Sequence, residues 1–358
     1  MSAAGSAVCL ISRQPLYPNK KTAWVSTAQK AVSFLKDGGY TLITSTGMQT
    51  WELLTALGRQ YSLPMKVLVP ESDKKSFTDK SMQIRFQFDL SEQLTEFIPV
   101  SQTIKATEFL KLRDRFAVES ADLLLPLSIR PEGSFEKLLL NTDKKKVDWR
   151  FFTGYPKNER KGLKSYHLQE LPESFRGRYF IHWTRSFKSA WPTEKLIDYY
   201  NDIINNEHYP RCAFETLKNI ILSGKIVSSK RHMPKPFSCV SFTSSSPSQF
   251  SSLMRWRKRY REMSFEPYGI GVERTFGEKL GICAVKYQTY GKELHKNERW
   301  KYLNSSIKGD WKREQEYRFC GDFLLKGIPE HKLACFCPTE KECRELEERF
   351  GLKTFPLS

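Results

Sequence analysis

Two glutamates and an arginine alternate near the C-terminal end of the sequence, at Glu314, Glu316 and Arg318. On a β-strand, residues two apart project from the same face, so a strand over 311–319 would place these three charges side by side. Adjacent carboxylates raise each other's pKa, and a nearby arginine opposes that effect. A carboxylate in this setting can act as a base or stabilise positive charge that develops on a substrate. The alternative is an edge strand whose charged face is solvated.

Polar side chains on three earlier predicted strands could bind a substrate. Residues two apart again share a face, which pairs a histidine with a threonine and a serine with a threonine. An ordinary structural role is the alternative for each of them, as a core histidine or as a strand residue that only packs. The set comprises His182 and Thr184 on a strand over 179–185, Ser241 and Thr243 on a strand over 237–243, and Tyr268 at the start of a strand over 268–272.

The segment 255–261 contains five basic and two aromatic residues in seven positions. A helix that starts after Pro247 would align residues four apart on one face. Arginines contact phosphates and aromatic rings stack on bases, so the segment predicts a nucleic-acid-binding surface. A solvated helix that buries only its two aromatic rings is the alternative. The predicted nucleic-acid-binding residues are Arg255, Arg257 and Arg259.

The length and charge of the chain limit the classes of protein to which it can belong. The chain has 358 residues and a formal net charge of +18, and domains of roughly 100–200 residues predict two of them. Residues 1–150 carry +5 and residues 151–358 carry +13. No apolar run is long enough for a membrane span, and no secretory signal is recognisable. We therefore expect a cytoplasmic protein without a membrane partner, whose eight cysteines are reduced.

The N-terminal half alternates predicted strands and helices, which indicates a parallel sheet with crossover helices. Ligands of such sheets bind beyond the carboxyl ends of the strands. Two loops lie there, and backbone N–H groups at a helix start would favour a phosphate. A structural domain whose loops bind nothing is the alternative. The predicted ligand-binding residues are Ser45, Thr46, Gly47 and Thr50 in one loop and Arg130 and Gly133 in the other.

Charged, Pro- and Gly-containing sequence separates the two halves, and we predict a domain over 1–155, a linker over 156–177 and a second domain over 178–358. Near the C-terminus, Cys335, Cys337 and Cys343 follow His331. Their spacing matches no common zinc motif, so we predict no metal site.

The N-terminal domain resembles the SLOG/DprA-like group of Rossmannoid nucleotide-binding domains, over roughly residues 5–150. The resemblance lies in Ser45-Thr46-Gly47 before a Thr-Trp-Glu helix, and in the Arg-Asp pair that precedes Ala121–Pro126 and Ser128–Gly133. It implies a nucleotide or nucleotide-derived ligand. The usual Gly-Gly-Gly loop is replaced by Ser45-Thr46-Gly47, which favours a sensor over a phosphoribohydrolase.

The C-terminal domain resembles the ADP-ribosyltransferase superfamily over about residues 178–345. The order of a His-x-Thr strand, a helix, a Ser/Thr strand and a Glu-bearing late strand is similar. The motif Trp311-x-x-Glu314-x-Glu316-x-Arg318 also resembles bacterial domains of unknown function, some associated with abortive infection. The resemblance implies NAD as substrate, and catalytic roles for His182, Glu316, Glu314 and Arg318. It implies that Thr184, Ser241, Thr243 and Tyr268 bind the NAD.

Together these features predict an α/β Rossmannoid domain followed by an α+β, ADP-ribosyltransferase-like domain with a mixed or antiparallel sheet. We expect an NAD-dependent ADP-ribosyltransferase or NAD glycohydrolase under the control of a nucleotide sensor, in bacterial anti-phage defence. Its partners would be NAD or a nucleotide-derived ligand, a nucleic-acid or protein acceptor, and a second copy in a homo-oligomer. One alternative is a non-catalytic protein that binds nucleic acid or senses nucleotides. The other is a hydrolase whose active site lies in the Rossmannoid domain.

Overall fold

A computed structural model of the chain describes residues 5–71, 73–101, 106–156, 166–258, 260–288, 296–304 and 314–358. The chain divides into two compact units. The first unit contains residues 1–159 and 188–210, and the second contains residues 160–187 and 211–358. The sequence predicts one boundary between the halves, but the segment 188–210 packs with the N-terminal residues. None of the helices in the described part of the chain has the length and apolar character needed to span a bilayer.

The first unit is built around a parallel five-stranded sheet with the strand order β4-β3-β2-β1-β5. Crossover helices connect the strands, as the alternating pattern predicts. The strands are β1 (Ser6–Ile11), β2 (Thr41–Ser45), β3 (Met65–Glu71), β4 (Thr95–Ser101) and β5 (Leu123–Ser128). The helices are α1 (Ala23–Asp37), α2 (Gln49–Gln60), α3 (Lys74–Phe88), α4 (Ala106–Ser120), α5 (Ser134–Leu140) and α6 (Leu196–Asn205).

The pattern of buried apolar side chains explains why these strands and helices form. Every residue of β1 is buried, as expected for a strand covered on both faces of a parallel sheet. Helix α1 buries Val25, Ala28, Val32 and Leu35 at helical spacing, and it ends where Gly39 adopts a left-handed conformation with φ of +68°. Helix α6 adds Ile197, Tyr199, Tyr200, Ile203 and Ile204 to the same core. The core of the first unit therefore depends on residues that lie far along the chain.

The second unit contains a mixed seven-stranded sheet with the order β12-β15-β8-β6-β11-β17-β18. The predicted mixed sheet is confirmed. The strands are β6 (Tyr179–Trp183), β7 (Lys225–Ile226), β8 (Cys239–Thr243), β9 (Trp256–Arg257), β10 (Glu262–Met263), β11 (Gly269–Glu273), β12 (Cys283–Ala284), β13 (Lys286–Gln288), β14 (Tyr302–Asn304), β15 (Glu316–Cys320), β16 (Phe323–Leu324), β17 (Leu333–Cys337) and β18 (Thr354–Pro356). The helices are α7 (Ala213–Ser223), α8 (Pro247–Ser251), α9 (Arg274–Leu280) and α10 (Glu340–Phe350).

The two faces of the seven-stranded sheet belong to different apolar cores. One face packs against α7 and α10 through Leu217, Cys343 and Leu346, and we call it the α7/α10 face. The other packs against Phe250 of α8, and we call it the α8 face. Strand β6 illustrates the alternation, because its Phe180 lies in the core of the α7/α10 face and its Ile181 in that of the α8 face.

The prediction of a helix over 255–261 is wrong. Helix α8 ends at Ser251, and the basic segment forms a hairpin in which Arg257 pairs with Glu262 and Trp256 with Met263. A helix would set like charges one turn apart, which is destabilising. The hairpin instead buries Glu262, which accepts hydrogen bonds from Arg185 at 3.1 Å and from Arg231 at 2.7 Å.

Candidate functional site

A buried ion pair occupies the α8 face of strand β15. The Nε–H and Nη2–H groups of Arg318 donate to the two carboxylate oxygens of Glu316, at 2.7 and 2.9 Å. The third guanidinium nitrogen, Nη1, donates to the carbonyl of Trp300 at 2.7 Å. The two side chains are only 3% and 9% exposed. Because the contact is bidentate and buried, the two side chains are fixed relative to each other.

Strand pairing places two hydroxyl-bearing residues opposite this ion pair, and one of them contacts it. In the β8–β15 ladder, Ser241 lies opposite Arg318 and Thr243 opposite Glu316. The hydroxyl of Ser241 donates to Oε1 of Glu316 at 2.8 Å. The register therefore places Ser241 and Thr243 on the same face of the sheet as Glu316 and Arg318.

Glu314 lies beside this group but outside the strand. The expected strand over 311–319 begins only at Glu316, because Gln315 has a left-handed φ of +41° that interrupts the strict alternation. Thr243 holds the preceding backbone, since its hydroxyl donates to the carbonyl of Glu314. The proposed neighbour Trp311 lies outside the described residues.

The surroundings of Glu314 raise the pKa of its carboxyl group towards neutral pH. Burial, followed by the negative charge of Glu316, raises the pKa of Glu314 to about 7. The positive charges of Arg257, Arg318 and Arg255 oppose this shift. Glu314 can consequently gain and lose a proton near pH 7.

His182 lies on the opposite face of the sheet from these carboxylates. It alternates with Ile181 and Trp183, which pack in the core of the α8 face, and its ring meets Phe242 edge-on at 6.0 Å. Its Nδ1 lies 2.9 Å from the carbonyl of Ser241. A carbonyl only accepts hydrogen bonds, so Nδ1 carries the proton. Burial, together with the charge of Arg185, lowers the pKa of His182 although this hydrogen bond opposes the shift.

Thr184 and Tyr268 also lie away from the carboxylates. The buried hydroxyl of Thr184 contacts the carbonyls of Ala213 and Tyr268, at 3.1 and 3.0 Å. Tyr268 packs against the core of the α7/α10 face and donates its hydroxyl to Glu342 at 2.7 Å. Burial and Glu342 both raise the pKa of Tyr268. The sheet thus separates His182, Thr184 and Tyr268 from Ser241, Thr243, Glu316 and Arg318.

The hairpin near Glu314 presents basic and aromatic groups to solvent. Arg255 and Lys258 are exposed, and Trp256 retains 37% of its surface. Arg257 stacks over the ring of Tyr260, with its guanidinium carbon 5.1 Å from the ring centre. Arg259 lies outside the described residues. This surface combines basic side chains with an accessible indole ring.

In the first unit, the loop after β2 is occupied by contacts of its own. The hydroxyl of Ser45 donates to the carbonyl of Leu68 at 2.8 Å. The backbone N–H of Gly47 donates to Glu52 at 2.9 Å, and its φ of +83° favours glycine. A phosphate at the start of α2 would have to displace the carboxylate of Glu52 from this N–H group. Thr50 is buried, and its hydroxyl has no hydrogen-bond partner among the described groups.

The second predicted loop, after β5, is held by backbone contacts. The N–H of Arg130 donates to the hydroxyl of Ser12 at 3.0 Å, and the Arg130 side chain is exposed. A Cβ atom at Gly133 would lie 2.8 Å from the carbonyl oxygen of Arg130. Glycine is therefore required at this position by close packing of the loop.

From the sequence, Arg113 belongs only to the Arg-Asp pair of the resemblance and has no predicted role, whereas the structure buries it to 1% exposed. Its guanidinium donates twice to Asp114, at 2.9 and 2.7 Å, and once to the carbonyl of Thr46 at 3.2 Å. It also lies over the ring of Trp51, at 5.2 Å from the ring centre. Burial raises the pKa of Asp114, while Arg113 opposes the shift. An arginine at an inward position of the amphipathic helix α4 was the available signal.

Comparison with known proteins found no matching family model and no matching curated protein.

Proposed function

We propose that the second unit binds an anionic nucleotide and cleaves its glycosidic bond, with Glu314 as the base and NAD as the first candidate substrate. The observation that carries this proposal is the pKa of about 7 for Glu314 beside guanidinium groups. A general base is most effective when its pKa is close to the working pH. The arginines of the hairpin would bind the phosphates of the substrate.

The chemistry requires negative charge at one place and positive charge nearby. Cleavage of a glycosidic bond develops oxocarbenium-like positive charge on the sugar, and carboxylates flank the scissile bond in enzymes of this type. Glu314 would stabilise that charge and accept a proton from the attacking acceptor or water. The ion pair of Glu316 with Arg318 would hold the adjacent backbone and the hydroxyl of Ser241 in place.

This proposal differs from the expectation based on the ADP-ribosyltransferase resemblance. His182, Thr184 and Tyr268 lie on the α7/α10 side, so they have no part in the proposed reaction. Their hydrogen bonds to backbone carbonyls and to Glu342 support structural roles. The proposed site consists of Glu314, Ser241, Arg255 and Arg257.

The test is to incubate the purified full-length chain with NAD and to follow free nicotinamide, with and without single-stranded DNA, RNA or protein acceptors. We expect release of nicotinamide that exceeds that of a heat-denatured sample. Release equal to the denatured sample under every condition would overturn the glycosidic cleavage of NAD. Mass analysis of the acceptors distinguishes transfer of ADP-ribose from hydrolysis.

A second candidate function is binding of single-stranded nucleic acid by the hairpin, which the exposed Trp256 favours. Replacing Arg255 and Arg257 by glutamine should weaken binding of a single-stranded DNA oligonucleotide. It should also reduce the slope of the logarithm of the binding constant against the logarithm of the salt concentration by about 1.4, since each phosphate contact contributes about 0.7. Trp256→Ala should cost about 1–3 kcal/mol of binding free energy through lost stacking. Fluorescence anisotropy at several salt concentrations measures both effects.

The matched control replaces two exposed basic residues of α10, Lys341 and Arg344, by glutamine. It removes the same net charge without touching the hairpin. Equal loss of affinity in both double variants would show that binding follows net charge, and it would contradict a specific surface at the hairpin.

A further inference from the structure

Two cysteines face each other on adjacent strands of the second unit. Cys239 begins β8, Cys320 ends β15, and the two residues are direct partners in the antiparallel ladder. Their side chains lie on the same face as the partnered Ser241 and Arg318, two residues along each strand. The thiols of Cys239 and Cys320 are within hydrogen-bonding reach of each other.

The backbone geometry suits a covalent link between them. Both backbone groups of Cys239 bond to Ser229, at 2.9 and 3.1 Å, and the next rung joins Gly321 N–H to Ser238 at 2.8 Å. Cys239 and Cys320 therefore form a non-hydrogen-bonded pair, in which the Cα atoms are about 4.5 Å apart. Disulfides span Cα separations of about 4.4–6.8 Å. The strands need no rearrangement to be linked here.

Exposure differs between the two thiols. Cys320 is exposed, whereas Cys239 is 4% exposed. Burial and the charge of Cys320 raise the pKa of Cys239 to about 12, and Arg318 opposes the shift. Cys320 is consequently the thiol that an oxidant in solvent reaches first, and Cys239 is placed to react second.

We propose that Cys239 and Cys320 form a redox-active dithiol that a hydroperoxide converts into a cross-strand disulfide. The thiolate of Cys320 attacks the peroxide oxygen, which breaks the O–O bond, forms a sulfenic acid and releases an alcohol, or water from hydrogen peroxide, after protonation. The sulfur of Cys239 then attacks the sulfenic sulfur, and hydroxide leaves as water with the proton of Cys239. Two thiols and one hydroperoxide thus give one disulfide, one alcohol and one water.

A competing pair lies elsewhere in the same unit. Cys337 and Cys343 are also hydrogen-bonded to each other, but they are 0% and 4% exposed in the apolar core. Neither is exposed to a soluble oxidant in the folded chain. Because thiol oxidation depends on accessibility, we expect the pair that contains Cys320 to react with the oxidant and the buried pair to stay reduced. The proposal about Cys239 and Cys320 is independent of the enzymatic activity proposed above.

The experiment treats the native full-length chain with hydrogen peroxide, alkylates the remaining thiols after denaturation and maps the peptides by mass spectrometry. We expect a crosslink between Cys239 and Cys320 that dithiothreitol reverses. In Cys239→Ser, dimedone should trap a sulfenic acid at Cys320, and Cys320→Ser should show no crosslink at Cys239. The matched control Cys283→Ser changes a half-buried thiol and should form the crosslink as the wild type does.

A second probe measures the reduced pair directly. Phenylarsine oxide binds two neighbouring thiols, so the wild type should bind one equivalent that is lost in Cys239→Ser and in Cys320→Ser. A crosslink between Cys337 and Cys343 instead would overturn the proposal. Oxidation of Cys320 to the sulfinic acid without a crosslink, or arsenical binding that persists in both variants, would overturn it as well.

Discussion

Replacing Arg318 by methionine is expected to lower the free energy of unfolding of the second unit by about 3–5 kcal/mol. The substitution leaves the carboxylate of Glu316, 9% exposed, without its bidentate partner. It also removes the donor to the Trp300 carbonyl. Hydrogen exchange of the peptides that cover β8 and β15, followed by mass spectrometry, measures the effect where it arises.

Two further variants separate the lost charge pair from general damage. Combining Glu316→Leu with Arg318→Met removes both charges, and we expect it to regain about 2 kcal/mol relative to the single variant because no buried charge is left unpaired. Arg344→Met changes an exposed arginine and should stay within about 0.5 kcal/mol of the wild type. A double variant no more stable than Arg318→Met would show that the side-chain volumes matter and the ion pair does not.

Replacing Glu314 by glutamine is expected to reduce nicotinamide release by about 10²–10⁴-fold, the usual contribution of a general base. The ionised carboxylate is the active form. The wild-type rate should therefore rise as the pH increases through about 7 and fall as the carboxyl becomes protonated below it. The residual rate of Glu314→Gln should lose this dependence. Initial rates at saturating NAD between pH 5 and pH 9 measure both effects.

The control for Glu314→Gln is Glu348→Gln, which changes an exposed glutamate of α10 and should keep wild-type activity. Circular dichroism of both variants establishes that they are folded. A Glu314→Gln variant that releases nicotinamide at the wild-type rate would rule out Glu314 as the base, although another residue could still cleave NAD.

Much of the architecture was predictable because short segments of the sequence determine where its strands and helices begin and end. The apolar run that contains Cys9 and the glycines after Asp37 mark a buried strand and a helix end, and alternation of such elements indicates a parallel sheet. The position of α6 was not predictable. Nothing in the spacing of its apolar residues shows which of two cores buries them.

The candidate site shows the same limit at the level of single residues. The shared face of Glu316 and Arg318 follows from strand periodicity, and the structure has it. That His182 lies on the other face of the sheet depends on how β6 pairs with β8. In that pairing Ile181 lies opposite Thr243. A shift of one residue would have moved His182 to the face of the sheet that carries the carboxylates. The left-handed Gln315 likewise has no sequence signal, since glutamine rarely adopts this conformation.

The discontinuous first unit has a consequence for synthesis of the protein. The core of that unit includes Ile197, Tyr200 and Ile203, so it is complete only after the ribosome has released residue 210. Translation at about 5–20 residues per second then leaves β1 to β5 without the apolar cover of α6 for several seconds. Chain elongation thus delays the closure of the N-terminal core until part of the second unit has already emerged.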